Sequence, residues 1–124
     1  MLTVSDLIIR LIYYQLCWTR GKRMPLTDRA LTTFYEIAER QGWKDLHNVR
    51  SLSTAVAVEA GELLQLVCWL KDTEAHQPEP ALVDALSDEI ADIYLYLVAL
   101  CDQLGVDLET VVTQKIHKNR QRYG

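Results

Sequence analysis

Cysteine is scarce in this chain and poorly arranged for cross-linking. Cys17, Cys68 and Cys101 are odd in number and far apart, and no CxxC pair occurs. That argues against a disulfide framework and against a zinc site. Each thiol lies among apolar residues, so buried, reduced cysteines and a cytoplasmic compartment are expected. Basic charge is also in short supply, with 13 Lys and Arg against 17 Asp and Glu and a net charge of −4. Bulk nucleic-acid binding relies on basic surface to neutralise phosphates and is not expected, although a few local cations could still meet a small phosphate ligand. The apolar stretch at residues 7–18 is interrupted by Arg10 and lacks a basic segment before it. It fits neither a signal peptide nor a membrane span. Clear period-two alternation is missing too, so no strand competes with helix.

What remains is an apolar-rich chain, 49% hydrophobic over 124 residues. That suits one globular domain with a modest core. Residues 1–24 form an N-terminal apolar segment, helical or extended, followed by a basic linker at residues 19–23; the apolar run is expected to dock on the core or on another subunit. Residues 25–124 form the main domain. Thr27 and Asp28 are placed to cap a helix with Leu31, Phe34, Tyr35 and Ala38 on one face, and Gly42 is placed to end it. Residues 43–48 read as a loop holding Trp43, His47 and Asn48. A next helix is expected from Ser51 or Ser53 to about Lys71, then a turn over residues 72–80. Pro80 suits the first turn of a further helix running to Leu104, with Gly105 after it. Asp107 caps a last helix through Leu108, Val111, Val112 and Ile116. The fold class predicted is all-α and bundle-like.

Residues 58–96 carry the chemistry. Glu59 and Glu62 interrupt one apolar helix, and Glu89 and Asp92 interrupt the next. Each pair is spaced i, i+3, which puts both carboxylates on one helix face. Glu62 lies ten residues before Asp72 and Glu89 nine after Pro80. At ~1.5 Å rise per residue the two pairs stand at about the same height above the turn. ExxE alone is common on solvated helix faces, but acids inside nearly continuous apolar sequence are costly unless paired or metal-bound. Four facing carboxylates would repel and raise one another's pKa values, a conflict that a hard divalent cation removes. Oxygen ligands suit Mg²⁺ or Mn²⁺. A carboxylate-bridged di-iron site needs Glu-x-x-His, and the residues three after Glu59, Glu62 and Glu89 are Glu62, Gln65 and Asp92.

Mg²⁺ held by carboxylates commonly meets substrate phosphates. Lys115, Asn119 and Arg122 share one helical face and could take them; a solvated tail balancing the helix dipole has the same pattern. Trp69, seven residues after Glu62, and Tyr96, seven after Glu89, fall on the acid-bearing faces and could wall a base pocket, or be core.

These residues also carry a resemblance. Glu59-x-x-Glu62, a spacer of 26 residues, Glu89-x-x-Asp92 and then Lys115…Asn119…Arg122-Tyr123 resemble the MazG-type nucleoside triphosphate pyrophosphohydrolases. The dCTP pyrophosphatase branch is the nearest in pattern, through Phe34…Glu39-Arg40…Trp43…Leu46-His47, Glu59-Ala60-Gly61-Glu62-Leu63…Trp69 and Asp88-Glu89…Asp92…Tyr96. The likeness spans residues 26–123. It implies a MazG-like helical bundle assembled as a homotetramer (dimer of dimers) or homodimer, with helices of different subunits completing each site. It implies Mg²⁺-dependent hydrolysis of a nucleoside triphosphate, dCTP or a related deoxynucleotide, to the monophosphate and pyrophosphate. Glu59, Glu62, Glu89 and Asp92 would be the metal ligands, with Glu59 or Glu62 also catalytic as general base. Lys115, Asn119, Arg122 and Tyr123 would hold phosphates; His47, Trp69 and Tyr96 would border sugar and base. The branch usually has a Pro and then Asn-Leu after His47, where this chain has Asn48-Val49-Arg50-Ser51-Leu52. Rival expectations are a related all-α pyrophosphohydrolase acting on dUTP, a modified nucleotide or phosphoribosyl-ATP, and a non-catalytic oligomeric interaction protein.

Overall fold

The computed structural model describes residues 25–124 together with Ile8 and Ile12. The rest of the N-terminal apolar run and the basic linker, with Cys17, lie outside the described residues. Within 25–124 the chain is helical and carries no strand. Its elements are α1 (Leu26–Arg40), a 3₁₀ turn (Lys44–Leu46), α2 (Val49–Gln65), a short α3 (Asp72–His76), α4 (Pro80–Leu104) and α5 (Leu108–Tyr123). An all-α bundle is therefore what the periodicity produces.

Helix ends follow local chemistry. Gly42, at φ 69°, and Gly105, at φ 67°, supply the left-handed residue that closes α1 and α4. Beyond them the Trp43 amide donates to the Ala38 carbonyl at 2.8 Å and the Val106 amide to that of Cys101 at 2.9 Å, which satisfies carbonyls the helix leaves free. Pro80 sits in the first turn of α4, where its missing N–H costs nothing. The Asp107 carboxylate accepts from the Thr110 amide at 2.9 Å and starts α5.

Three boundaries differ from expectation. α1 begins at Leu26, before Thr27 and Asp28, because the extended Pro25 offers its carbonyl to the Arg29 amide at 3.1 Å. α2 begins at Val49, with Asn48 as its cap: Asn48 Oδ1 accepts from the Ser51 amide and Ser51 Oγ from the Asn48 amide, each at 3.0 Å. Ser51 is thus the far member of a capping box rather than the cap. α2 also ends at Gln65, six residues short of Lys71. After it i, i+3 bonds enter, with the Val67 amide on the Leu64 carbonyl and that of Leu70 on Val67, both at 3.1 Å, beside an i, i+4 bond from the Cys68 amide to Leu64 at 2.9 Å. A tightened turn of this kind overwinds the chain and shifts the helical register. The loop to α4 contains α3, whose Glu74 carboxylate accepts from the Lys71 amide at 2.8 Å.

α2 and α4 make the most extensive helix pair, and α1 lies across α4. The core is small: Ala30, Leu31, Ala38, Leu52, Val98 and Ala99 are buried, and Tyr35, Tyr94 and Leu108 pack against the Ala30–Leu31–Val98 cluster. Leu52 is the one large side chain closed off almost completely, at 1% exposure, among the described residues. Val58, Leu64 and Ile90, on the two acid-bearing helices, each remain more than half exposed. No described helix is long and apolar enough to cross a membrane. Of the described cysteines, Cys101 is partly buried as expected and Cys68 is exposed, because it falls in the turn after α2.

Candidate metal centre and its aromatic wall

The antiparallel packing of α2 on α4 brings the two acid pairs together. Glu59, Glu89 and Asp92 each place a carboxylate oxygen within 4.8 Å of the other two. Glu62, one turn along α2, joins them through Glu59. Burial pushes the Glu59 carboxyl up to about 7; hydrogen bonding and like charge from Glu62, hydrogen bonding with Glu89 and the charge of Asp92 add to the rise. Glu89 Oε2 is buried and has no hydrogen-bond partner.

A carboxylate oxygen without a partner, within a cluster of carboxylates, is the situation a hard cation resolves. All four side chains are oxygen donors, and among the described residues no imidazole or thiolate joins the set, so the residues fit Mg²⁺ or Mn²⁺ better than a soft metal.

Beside the acids stands an aromatic wall. Tyr96, one turn beyond Asp92 on α4, has its phenol pKa raised, through burial first and then the negative charges of Glu59 and Asp92. Its ring meets that of Phe34 edge to face, with centroids 6.0 Å apart. Phe34 also lies against the His47 imidazole at 4.7 Å. Such spacings are those of favourable ring contacts. Burial holds His47 below its ordinary pKa, and its Nδ1 is buried without a hydrogen-bond partner. A ring in that state is neutral at neutral pH. His47 reaches this position because the 3₁₀ turn and the Asn48–Ser51 box pin the chain on both sides of it.

The other candidate residues are elsewhere. Trp69 lies beyond the end of α2 and is 93% exposed, so the helical spacing that aligned it with Glu62 does not apply. Lys115, Asn119, Arg122 and Tyr123 are all exposed on α5. Among the described residues no hydrogen bond or ion pair joins them to the four acids. The Arg122 guanidinium instead lies 5.2 Å from the centroid of the Tyr123 ring. Phe34 is the wall residue that sequence reasoning passed over. It sits on the apolar face of α1, where a residue lining a pocket and a residue filling a core have the same periodicity.

Comparison with known proteins gives the family. Residues 54–124 match the model of the MazG-like family, a stretch that contains all four acids and the whole of α5. The chain is 40% identical over 92 residues to dCTP pyrophosphatase 1 of Rattus norvegicus and 38% identical over 90 residues to that of Homo sapiens. Each alignment takes in 71% of this chain and 53% of the relative, so the chain spans about half the length of the curated relatives it matches. A crystal structure of a pyrophosphatase from Archaeoglobus fulgidus superposes with a TM-score of 0.73 at 25% identity, covering 82% of this chain and 94% of that one. With the family model matched across more than half of its length, the chain belongs to the MazG-like family.

Proposed function

We propose that this chain hydrolyses deoxynucleoside triphosphates, dCTP foremost, to the monophosphate and pyrophosphate, with Mg²⁺ or Mn²⁺ held by Glu59, Glu62, Glu89 and Asp92. The observation that carries this reading is the convergence of the acids from α2 and α4, with Glu59 raised to about 7 and Glu89 Oε2 unpartnered. The relatives named as dCTP pyrophosphatases and the pyrophosphatase of similar fold support the reaction and its first candidate substrate.

Each side chain then has a task. A bound divalent cation supplies neutralisation of the triphosphate and acidification of water. Glu59 or Glu62 takes a proton from the attacking water as its oxygen bonds to the α-phosphorus, and the bond to the bridging oxygen breaks to release pyrophosphate. Glu89 and Asp92 hold the charge balance from the facing helix. Phe34, His47 and Tyr96 present an aromatic surface of differently inclined rings for base and sugar, and the neutral imidazole adds no charge there. Trp69 closes the base side. Lys115, Asn119, Arg122 and Tyr123 hold phosphates when α5 of a second copy in a homodimer or homotetramer is brought to the acids. Residues 25–124 form the catalytic unit, acting on the nucleotide pool of the cytoplasm.

Pyrophosphate release from each deoxynucleotide, from phosphoribosyl-ATP and from modified nucleotides, with and without Mg²⁺, tests the reading. Release that requires the cation and is fastest with dCTP is expected; a preference for dUTP or a modified nucleotide would reassign the substrate. Full Mg²⁺-dependent release by both Glu62→Gln and Asp92→Asn would overturn the site. No response of turnover or stability to Mg²⁺ would favour a non-catalytic interaction protein.

A further inference from the structure

One contact outside the acid cluster leads directly into the aromatic wall. The Tyr35 hydroxyl donates to Asp102 Oδ2 at 2.6 Å, joining the middle of α1 to the last turn of α4 across 67 residues of sequence. Gln103 Nε2 donates to the same hydroxyl at 3.3 Å. The Tyr35 ring in turn meets Phe34 edge to face, with centroids 5.8 Å apart. Phe34 is the ring that touches both His47 and Tyr96. A continuous series of contacts therefore runs from Asp102 through Tyr35 and Phe34 to the two residues that face the proposed base pocket.

We propose that Tyr35 is a positioning residue for this wall, and that its hydrogen bond to Asp102 sets the place of Phe34 against His47 and Tyr96. The physical reason is the shallow seat of α1. Ala30, Leu31 and Ala38 are its only buried residues, all small or medium in size, and Phe34 and Tyr35 are half-buried. Apolar contact of that kind resists separation of the helices but resists sliding and rotation poorly, because it has no preferred direction. A short hydrogen bond to a carboxylate is directional and stronger than a neutral one. It fixes the rotation of α1 about its own axis, and Phe34, one residue away, turns with it. Tyr35 touches no substrate in this scheme; it acts through Phe34.

The inference rests on the pyrophosphohydrolase reading only for its kinetic arm. Tyr35→Phe keeps the ring and removes the hydroxyl. Asp102→Asn keeps an acceptor for it, and Asp102→Ala removes that acceptor. With dCTP as probe, Tyr35→Phe and Asp102→Ala should raise KM about tenfold with kcat within about twofold, the size expected for losing a bond to a charged group that serves binding. Asp102→Asn should restore KM to within about threefold of the parent, as a neutral acceptor keeps part of the bond. The second arm needs no turnover. In the substrate-free protein, the ring-current shift of the His47 imidazole protons by Phe34, read by NMR, should shrink in Tyr35→Phe and Asp102→Ala and persist in Asp102→Asn.

Loss of thermal stability with His47 shifts and KM both unchanged would assign the bond a purely structural part and overturn the proposal. So would equal loss in Asp102→Asn and Asp102→Ala. If the parent protein turns over no nucleotide, the function reading fails while the His47 shifts still decide the role of Tyr35.

Discussion

The two halves of the proposed triphosphate site are built in opposite ways. The anionic half lies between α2 and α4, whose packing forces three carboxylate oxygens within 4.8 Å of one another. The cationic half lies on α5, where Lys115 and Arg122 are exposed and untouched by the acids. Like charges held together need a structure that resists their repulsion, so the acids belong on the firmest helix pair. Cations that bind phosphate need no such restraint and can wait on a solvated surface at little cost. The contrast shows which half one chain assembles unaided, and each test below separates the two.

The largest effects are expected on the anionic half. Glu89→Gln or Asp92→Asn should abolish calorimetric Mg²⁺ binding and lower kcat by about 10²-fold or more, as removal of a preorganised electrostatic group does. Lys115→Ala and Arg122→Ala should instead leave Mg²⁺ binding intact and raise KM by about tenfold per lost charged contact. If those variants lost the metal as well, the two halves would not be separate.

Stability gives the next distinction. Mg²⁺ at 100 times its Kd should raise unfolding free energy by about 2.7 kcal/mol in the parent, measured by denaturant titration. Asp92→Asn should show none of that gain, and Lys115→Ala all of it.

The pH dependence is smaller and its sign is set by Glu59. Its carboxyl rises from 4.5 to about 7 on folding, so the folded chain holds a proton that the unfolded chain releases. Stability of the metal-free protein should therefore be highest below the unfolded value, fall as pH rises from 4.5 through about 7, and level off above it. Thermal scans in chelator across this window test the slope, and saturating Mg²⁺ should flatten it by holding Glu59 ionised. A rise in stability over the same window in chelator would contradict the assignment.

The smallest stability effect is expected at Trp69. Its side chain is 93% exposed, so Trp69→Ala should change stability by no more than about 0.5 kcal/mol. A rise in KM for deoxynucleotides without that loss would place it against the base in the assembled enzyme.

Much of this layout is legible in the sequence. The acid pairs announce themselves because carboxylates at i, i+3 inside apolar helices have few inexpensive explanations. Gly42, Pro80, Gly105 and Asp107 mark helix ends through backbone chemistry that depends only on nearby residues. Sequence spacing puts Trp69 inside α2, whereas the helix ends at Gln65, because nothing in residues 66–71 is as decisive as a glycine or proline. The tightening that ends α2 is a small local balance between i, i+4 and i, i+3 bonds. Phe34 and Tyr35 show in the sequence only as members of one helix face, because helical periodicity reports that a face is covered and not what covers it.

The residues by themselves determined that the chain is helical, where most helices start and stop, and that four acids share two helix faces. Those are properties of short sequence separation, set by backbone dihedrals and side-chain spacing. The tertiary structure alone decided that Glu59 is raised to about 7, that Glu89 Oε2 has no partner and that Phe34 bridges His47 and Tyr96. It also decided that α5 stays clear of the acids. These facts depend on which surfaces of distant segments meet and how much water they exclude, and electrostatic and ring contacts change steeply with ångström-scale distance.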